Sequence, residues 1–242
     1  MPAPREQAHP CGKCAFYKDS VWQPVEPGSV SVLSHGFSRR ELKEGQLVFG
    51  QDEENRGVYC VSRGLVAIRT RHADGASTLL RLAYPGDVIG FRSFLGSGSH
   101  QTEARTLLPS RICTVARRDA FRVIQGNFPV LKGLVSRCIA EIDRGHERII
   151  AAATVSNKQR LADLLLRLMQ NHGERIGDHI HMQLPLSRSD LANLLGVQPE
   201  TMSRLVRRLA KDGHFVFSGR KVRMPVASFR EDVARPGFRK SA

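Results

Sequence analysis

The segment of this sequence that most restricts its fold is LPLSRSDLANLLGVQPETMSRLVRRLAKDG, from Leu184 to Gly213. Ser187 with Asp190 three residues later is a capping box that opens a short helix. Ala192 is small, as a close helix crossing demands, and Gly196 suits a turn that needs positive φ. Pro199 then fits the first turn of a second helix. On that helix Met202 and Leu205, with Val197 before it, make an inward face, and Glu200, Ser203, Arg204 and Arg207 share the opposite one by steps of three and four. HFVF–SGRK–VRM, which follows Gly213, reads as a hairpin lying beside the helices. A plain helical hairpin would not need the capping box, the glycine turn and a basic outer face together. The segment is therefore expected to be a winged helix-turn-helix.

Such a second helix enters the major groove of double-stranded DNA. Arginine there pairs bidentately with guanine, and glutamate accepts from cytosine N4. The expected DNA-contacting set is Ser187, Arg188, Gln198, Glu200, Thr201, Ser203, Arg204, Arg207, Arg208 and Lys211, with Arg208 and Lys211 suited to phosphates. The charge agrees. The 242 residues carry a formal net charge of +14. Residues 155–242 hold 16 Lys and Arg against 8 Asp and Glu, so about a third of the chain carries more than half of the excess. A charge of this sign calls for a polyanionic partner. A membrane surface is the other such partner, but the basic helix sits in a helix-turn-helix context, and no apolar run approaches the ~20 residues that span a bilayer. MPAPREQAHPCGKC has no apolar core segment, so no secretory signal is expected, and the expected location is cytoplasmic.

Upstream, the texture changes twice. Residues 1–40 are irregular and proline-rich. From Leu42 to about Val115, short β-branched runs such as GVYCVSRG and STLLRLAYPGDVIGF alternate with glycines at 45, 64, 75, 86 and 90, the pattern of an antiparallel sandwich or barrel. From Asp119 to Ala153, Leu131, Val135, Cys138, Ile142, Gly145, Ile149 and Ala152 alternate steps of four and three. This is the seam of one helix, long enough to pair with a second copy of itself in a homodimer, although the same spacing also suits packing on its own sheet. A further helix, capped by Ser156, runs through LADLLLRLMQ to Gly173. RIGDHIHMQ reads as a polar loop, and His172, His179 and His181 match no zinc spacing. No ordered catalytic triad, phosphate loop or carboxylate pair stands out, so the chain is not expected to be an enzyme.

Taken together, these segments resemble the cAMP receptor protein/FNR family of bacterial transcription regulators over nearly the whole chain. The resemblance implies an α+β fold: an N-terminal Cys-containing segment (1–29), a jelly-roll, cyclic-nucleotide-binding-like sensor domain (30–118), a dimerisation helix (119–153), a winged helix-turn-helix (154–228) and a basic tail (229–242). PGDVIGF resembles the family's turn into its effector region, and PETMSRLVRRL carries the E-x-x-S-R pattern of the FNR branch. By that resemblance Glu200, Ser203 and Arg204 read the halves of a TTGAT-type palindrome. RNA polymerase is the partner that relatives engage, through loops near Phe91–His100 in activating members.

The signal is less determined. In the cyclic-nucleotide branch a Gly-Glu turn and an Arg-Ser pair hold the nucleotide. Here Phe91–Arg92 follows the glycine and no Arg-Ser comes after it, which argues against cAMP, although Arg92 and Arg105 remain available to an anion. The other branch senses oxygen or nitric oxide through an iron–sulfur cluster held by N-terminal cysteines and one distant cysteine. Cys11 and Cys14, in C-x2-C spacing, and Cys113 in RICTVA match three such ligands. The family's third N-terminal cysteine would fall near Ser20, which is not a cysteine here, and the candidates for a fourth ligand are Asp19, Cys60 and Cys138. Cys60 and Cys138 are equally readable as small buried hydrophobes, with Cys60 facing the roll's core. C-x2-C alone also suits zinc or a thiol switch. A heme, a small-molecule ligand or no metal at all leaves the DNA-binding reading unchanged.

Overall fold

The computed structural model describes residues 9–96 and 98–234. Residues 1–8 of the expected N-terminal segment and 235–242 of the expected basic tail lie outside them. The chain divides into two compact units, Met1–Arg144 and Gly145–Ala242.

The first unit begins with a strap, residues 9–29, made of short turns with single 3-10 turns at Tyr17–Asp19 and Pro27–Ser29. Helix α1 (Val30–Gly36) leads into strands β1 (Phe37–Leu42), β2 (Leu47–Phe49), β3 (Gly57–Arg63), β4 (Val66–Arg71), β5 (Ser77–Ala83) and β6 (Val88–Ile89). A short helix α2 (Phe91–Leu95), β7 (Glu103–Thr106) and β8 (Ser110–Ala116) complete the roll. The strands form two antiparallel four-stranded sheets, β1-β8-β3-β6 and β2-β7-β4-β5, the two faces of a jelly roll. All five glycines expected at turns have positive φ. At Gly90 (φ 78°) the need is double, because a Cβ there would stand 2.6 Å from the Tyr59 ring.

Each sheet face has its own core. Tyr59, Val61, Ile68, Ile89 and Ile112 fill the roll. The outer face of the β1-β8-β3-β6 sheet carries Val58, Val88 and Val115, and these pack with Trp22 and Val25 of the strap and with the helices that follow. Those helices are α3 (Arg117–Gly126) and α4 (Phe128–Thr154). The single helix expected over 119–153 is therefore two. Pro129 has no N–H to continue the α3 ladder and sits in the first turn of α4, and the chain breaks at Asn127 (φ −135°, ψ 82°). Asn127, fully buried at the break, donates to Val123 O (2.7 Å) and Ser29 Oγ (3.0 Å) and accepts from Glu26 N (2.8 Å).

The second unit contains α5 (Asn157–His172), with Ser156 as its N-cap, then β9 (Glu174–Ile176) and β10 (His179–Gln183). The expected loop RIGDHIHMQ is thus a hairpin turning at Gly177, whose φ of 58° supplies the turn, and Met182 is its buried apolar anchor. Next come α6 (Arg188–Leu195), α7 (Pro199–Lys211), β11 (Val216–Ser218), β12 (Lys221–Pro225) and α8 (Val226–Ala234). The strands form one antiparallel sheet, β11-β12-β10-β9. Helix α8 occupies positions 229–234, which the sequence assigned to the tail; Asp232 is buried and pairs with His214 at 3.7 Å. Among the described residues no helix is long and apolar enough to cross a membrane.

Candidate functional site

The helix-turn-helix is built as its sequence dictates. Ser187 Oγ accepts from Asp190 N (3.1 Å) while Ser187 N donates to Asp190 Oδ2 (2.9 Å), closing the capping box. Gly196, at φ 67°, ends α6, and Val197 N donates to Ala192 O across the turn. Helix α7 buries Met202, Leu205, Val206 and Leu209. Its other side presents Glu200, Arg204, Arg207, Arg208 and Lys211 to solvent, with Gln198 exposed at the N-cap and Thr201 and Ser203 half-buried. The first-turn Glu200 and the last-turn Arg208 and Lys211 complement the helix dipole. Lys158 pairs with Asp212 at 2.7 Å just beyond the helix.

Three of the expected contact residues have internal engagements. The Ser187 hydroxyl also donates to Asp190 Oδ2 (2.8 Å), and Ser203 Oγ donates to Pro199 O (3.1 Å). The Arg188 guanidinium lies over the Phe217 ring, 5.6 Å from its centroid, and burial lowers its pKa. The wing adds a basic edge outside the expected contact set. Lys221 and Arg223 are exposed and alternate with buried Val222 and Met224 along β12, an alternation plain in KVRM. Arg220 Nε donates to Leu184 O (3.0 Å), fixing the wing turn to the segment that enters α6.

In the first unit, Cys11, Cys14, Cys60 and Cys113 line one cavity of about 30 Å³, together with Ser20 and Arg39. Strap and sheet meet there. Cys14 N donates to Cys11 O (2.8 Å), curling the C-x2-C segment into a turn. Arg39, Cys113 and Cys60 stand opposite one another across β1, β8 and β3, so all three side chains share the sheet's outer face. The Arg39 guanidinium hydrogen-bonds the Cys113 thiol. Burial, reinforced by the neighbouring Cys113 and Cys14, pushes the Cys11 thiol up to about 11, and burial also raises Cys60. These are protonated thiols, and a metal must displace their protons to bind.

Cys60 therefore faces away from the roll's interior, contrary to the core position expected for it. Asp19 is exposed, and its carbonyl oxygen accepts from Arg137 Nη2. Cys138 is half-buried on α4 against the strap-side core and does not line the cavity. Among the described residues, no three His, Cys, Asp or Glu side chains stand at metal-binding geometry. The donor set is nonetheless that of a thiophilic centre. The cavity has room for about two waters, so an ion fits the space as it stands, and a multi-iron cluster requires the strap to shift outward.

A second cavity, about 130 Å³, is lined by Phe49, Arg81, Phe91, His100, Gln101 and Glu141, among others. Buried Arg81 is already paired with Glu141 (2.9 Å), and Arg105 donates to Gly45 O (2.8 Å). Among the described residues that line this cavity, exposed Arg92 is a cation outside these pairs. Gln101 and Thr102 line the same cavity.

On α4, Val130 and Leu134 are buried in the strap-side core. Val135, Ile139, Ile142, Ile149 and Ile150 are 44–69% exposed, an apolar stripe left open. Of the expected seam residues, Val135, Ile142 and Ile149 lie on this stripe and half-buried Cys138 packs against the strap-side core, while Ile139 and Ile150 are exposed beside the stripe's other members.

Comparison with known proteins agrees with this architecture. Residues 39–127 match the cyclic nucleotide-binding domain and residues 159–225 the Crp-like helix-turn-helix domain. Regulatory protein HlyX of Actinobacillus pleuropneumoniae is 26% identical over 214 residues, covering 88% of each chain. The fumarate and nitrate reduction regulatory protein of Escherichia coli K12 is 25% identical, covering 88% of this chain and 85% of its own. The structure of FixK2 from Bradyrhizobium japonicum superposes with a TM-score of 0.65 at 22% identity, covering 83% of this chain and 99% of its own, and shares the fold. These relatives are regulators and not enzymes, and with a cyclic-nucleotide-binding-like roll followed by a Crp-like helix-turn-helix, the chain is a member of the cAMP receptor protein/FNR family of DNA-binding transcription regulators.

Proposed function

We propose that this regulator binds a TTGAT-like palindrome as a homodimer and responds to oxygen, nitric oxide or redox state through a metal centre held by Cys11, Cys14 and Cys113. Glu200, Ser203 and Arg204 read base edges, while Arg207, Arg208 and Lys211 meet phosphates. The exposed stripe on α4 supplies the dimer contact, setting two recognition helices about 34 Å apart on the duplex.

The observation that carries the sensing role is the position of the strap. It bears Cys11 and Cys14 and is docked on the helices that lead into the stripe. Trp22 is 1% exposed in their shared core, Val21 lies against Gly133, and Arg137 holds the Asp19 carbonyl. A bound iron–sulfur centre supplies metal–thiolate bonds that oxidants and nitric oxide break. The chain's residues do the rest: with the thiols engaged the strap clamps the first half of α4, and with them released it loosens. A change of a few kcal/mol in dimer stability alters DNA occupancy by orders of magnitude. RNA polymerase is the expected partner once DNA is bound.

The deciding experiment combines the absorption spectrum of anaerobically purified protein, iron, sulfide and zinc counted per chain, and binding to a TTGAT palindrome before and after air. Iron and sulfide that vanish in air together with specific binding support the reading. Metal-free protein that binds the palindrome equally in both states removes the sensor and leaves the DNA-binding role.

A further inference from the structure

We infer that Cys60 is the fourth thiolate of this centre, so that the strap and the β-roll each contribute two ligands. The inference rests on the reading that the strap thiols hold a metal. Its basis is the register of the outer sheet face. Cys60 and Cys113 are direct partners across the antiparallel β3–β8 pair. Opposed residues in such a pair have Cβ atoms about 4.5–5.5 Å apart. Two sulfurs on one tetrahedral zinc, each about 2.3 Å from the metal, stand about 3.8 Å apart, a distance that two opposed cysteines reach by side-chain rotation alone. The C-x2-C turn lines the same cavity and brings a second pair of thiols to it from the strap.

Neither other candidate shares this placement: Asp19 is exposed and Cys138 belongs to α4 outside the cavity. Ser20 lines the cavity and hydrogen-bonds Cys11, but a hydroxyl is a harder donor than a thiolate and ranks below it for zinc or iron–sulfur centres. Arg39 complements the scheme, since a centre with four thiolates carries excess negative charge and the guanidinium already reaches Cys113. Two ligands on a hydrogen-bonded sheet are rigidly spaced, so loss of the metal frees the strap and leaves the roll intact.

The test uses full-length Cys60→Ser, Cys60→Ala, Cys138→Ser, Asp19→Ala and Ser20→Ala proteins, purified anaerobically. Iron, sulfide and zinc are counted per chain, and zinc affinity is measured by chelator competition. Thermal unfolding of the metal-free forms identifies any variant that fails to fold, and the two Cys60 variants guard against one doing so. The expected result is a loss of at least about tenfold in metal affinity for both Cys60 variants, with the metal-free melting temperature held and the other three near the parent. Iron with sulfide in the parent identifies a cluster and zinc alone a tetrathiolate ion, and either supports the assignment when Cys60 variants lose it. Cys60 variants that keep the parent's metal while Cys138→Ser, Asp19→Ala or Ser20→Ala loses it overturn the assignment and leave the sensor standing. A parent that takes up neither iron nor zinc, even after reconstitution, overturns the sensor reading and Cys60 with it.

Discussion

The Arg81 guanidinium on β5 stands 2.9 Å from the Glu141 carboxylate on α4, and both are mostly buried. Asp87 lies 3.9 Å from the same guanidinium and 3.6 Å from Arg144, so four charged groups fasten the roll to the helix. Removing one partner of a buried pair leaves the other charge desolvated. Glu141→Ala is expected to destabilise the first unit by about 1–3 kcal/mol, less than a lone buried pair because Asp87 remains. Urea unfolding checks this. A midpoint within error of the parent's means that the network contributes nothing to stability.

His100 gives stability a pH dependence. It is 2% exposed, stacks on Phe49 at 3.8 Å and meets Ser93 Oγ through Nδ1 at 2.9 Å, and burial lowers its pKa to about 4. The unfolded chain binds this proton near pH 6.5 and the folded one only near 4, so the stabilisation is complete above 6.5 and is lost as pH falls through that window. The loss at pH 4 should be about 1–3 kcal/mol. His100→Phe keeps the stacked ring and should flatten the profile between pH 6.5 and 4; a variant as acid-sensitive as the parent places the effect on other groups.

Much of this was legible because local chemistry and tertiary demand coincide. Ser187, Asp190, Gly196 and Pro199 each fix one backbone feature of the helix-turn-helix, and each serves there as its residue type requires. The turn glycines of the roll behave likewise. Cys60 departs from its expected core position because period-two alternation identifies two faces but not which is the interior. Here both are covered, one by the roll and one by the strap, so Val58 and Cys60 look no different from Tyr59 and Val61. The same limit applies on α4, where a four-three repeat fits both the stripe through Ile139 and Ile142 and the inward row ending at Cys138. The Arg81–Glu141 pair, sixty residues apart, has no sequence signal at all.

On DNA, the two kinds of arginine should separate. Arg204→Ala is expected to weaken binding to a TTGAT palindrome by about 1–3 kcal/mol and to leave binding to unrelated duplex nearly unchanged. Arg208→Ala should weaken both alike and reduce the salt slope, log K against log salt, by about 1 per chain. Titrations of both duplexes at several salt concentrations decide the matter, and equal loss on the two duplexes for Arg204→Ala removes it from base readout.

The stripe on α4 makes the strongest demand on assembly. Ile142 and Ile149 are 58% and 69% exposed in the single chain, far more than residues of their apolarity keep when a partner is present. Burying an isoleucine contributes about 1.5–3 kcal/mol, and a two-fold dimer counts each position twice. Ile142→Glu should therefore raise the dimer dissociation constant by roughly a hundredfold to ten-thousandfold and lower palindrome affinity with it. The melting temperature of the monomer should stay close to the parent's, because Ile142 is mostly exposed in the single chain. Sedimentation equilibrium across a concentration series reads the effect directly. An Ile142→Glu protein that remains a dimer with unchanged DNA affinity would show that copies of this chain pair through a different surface.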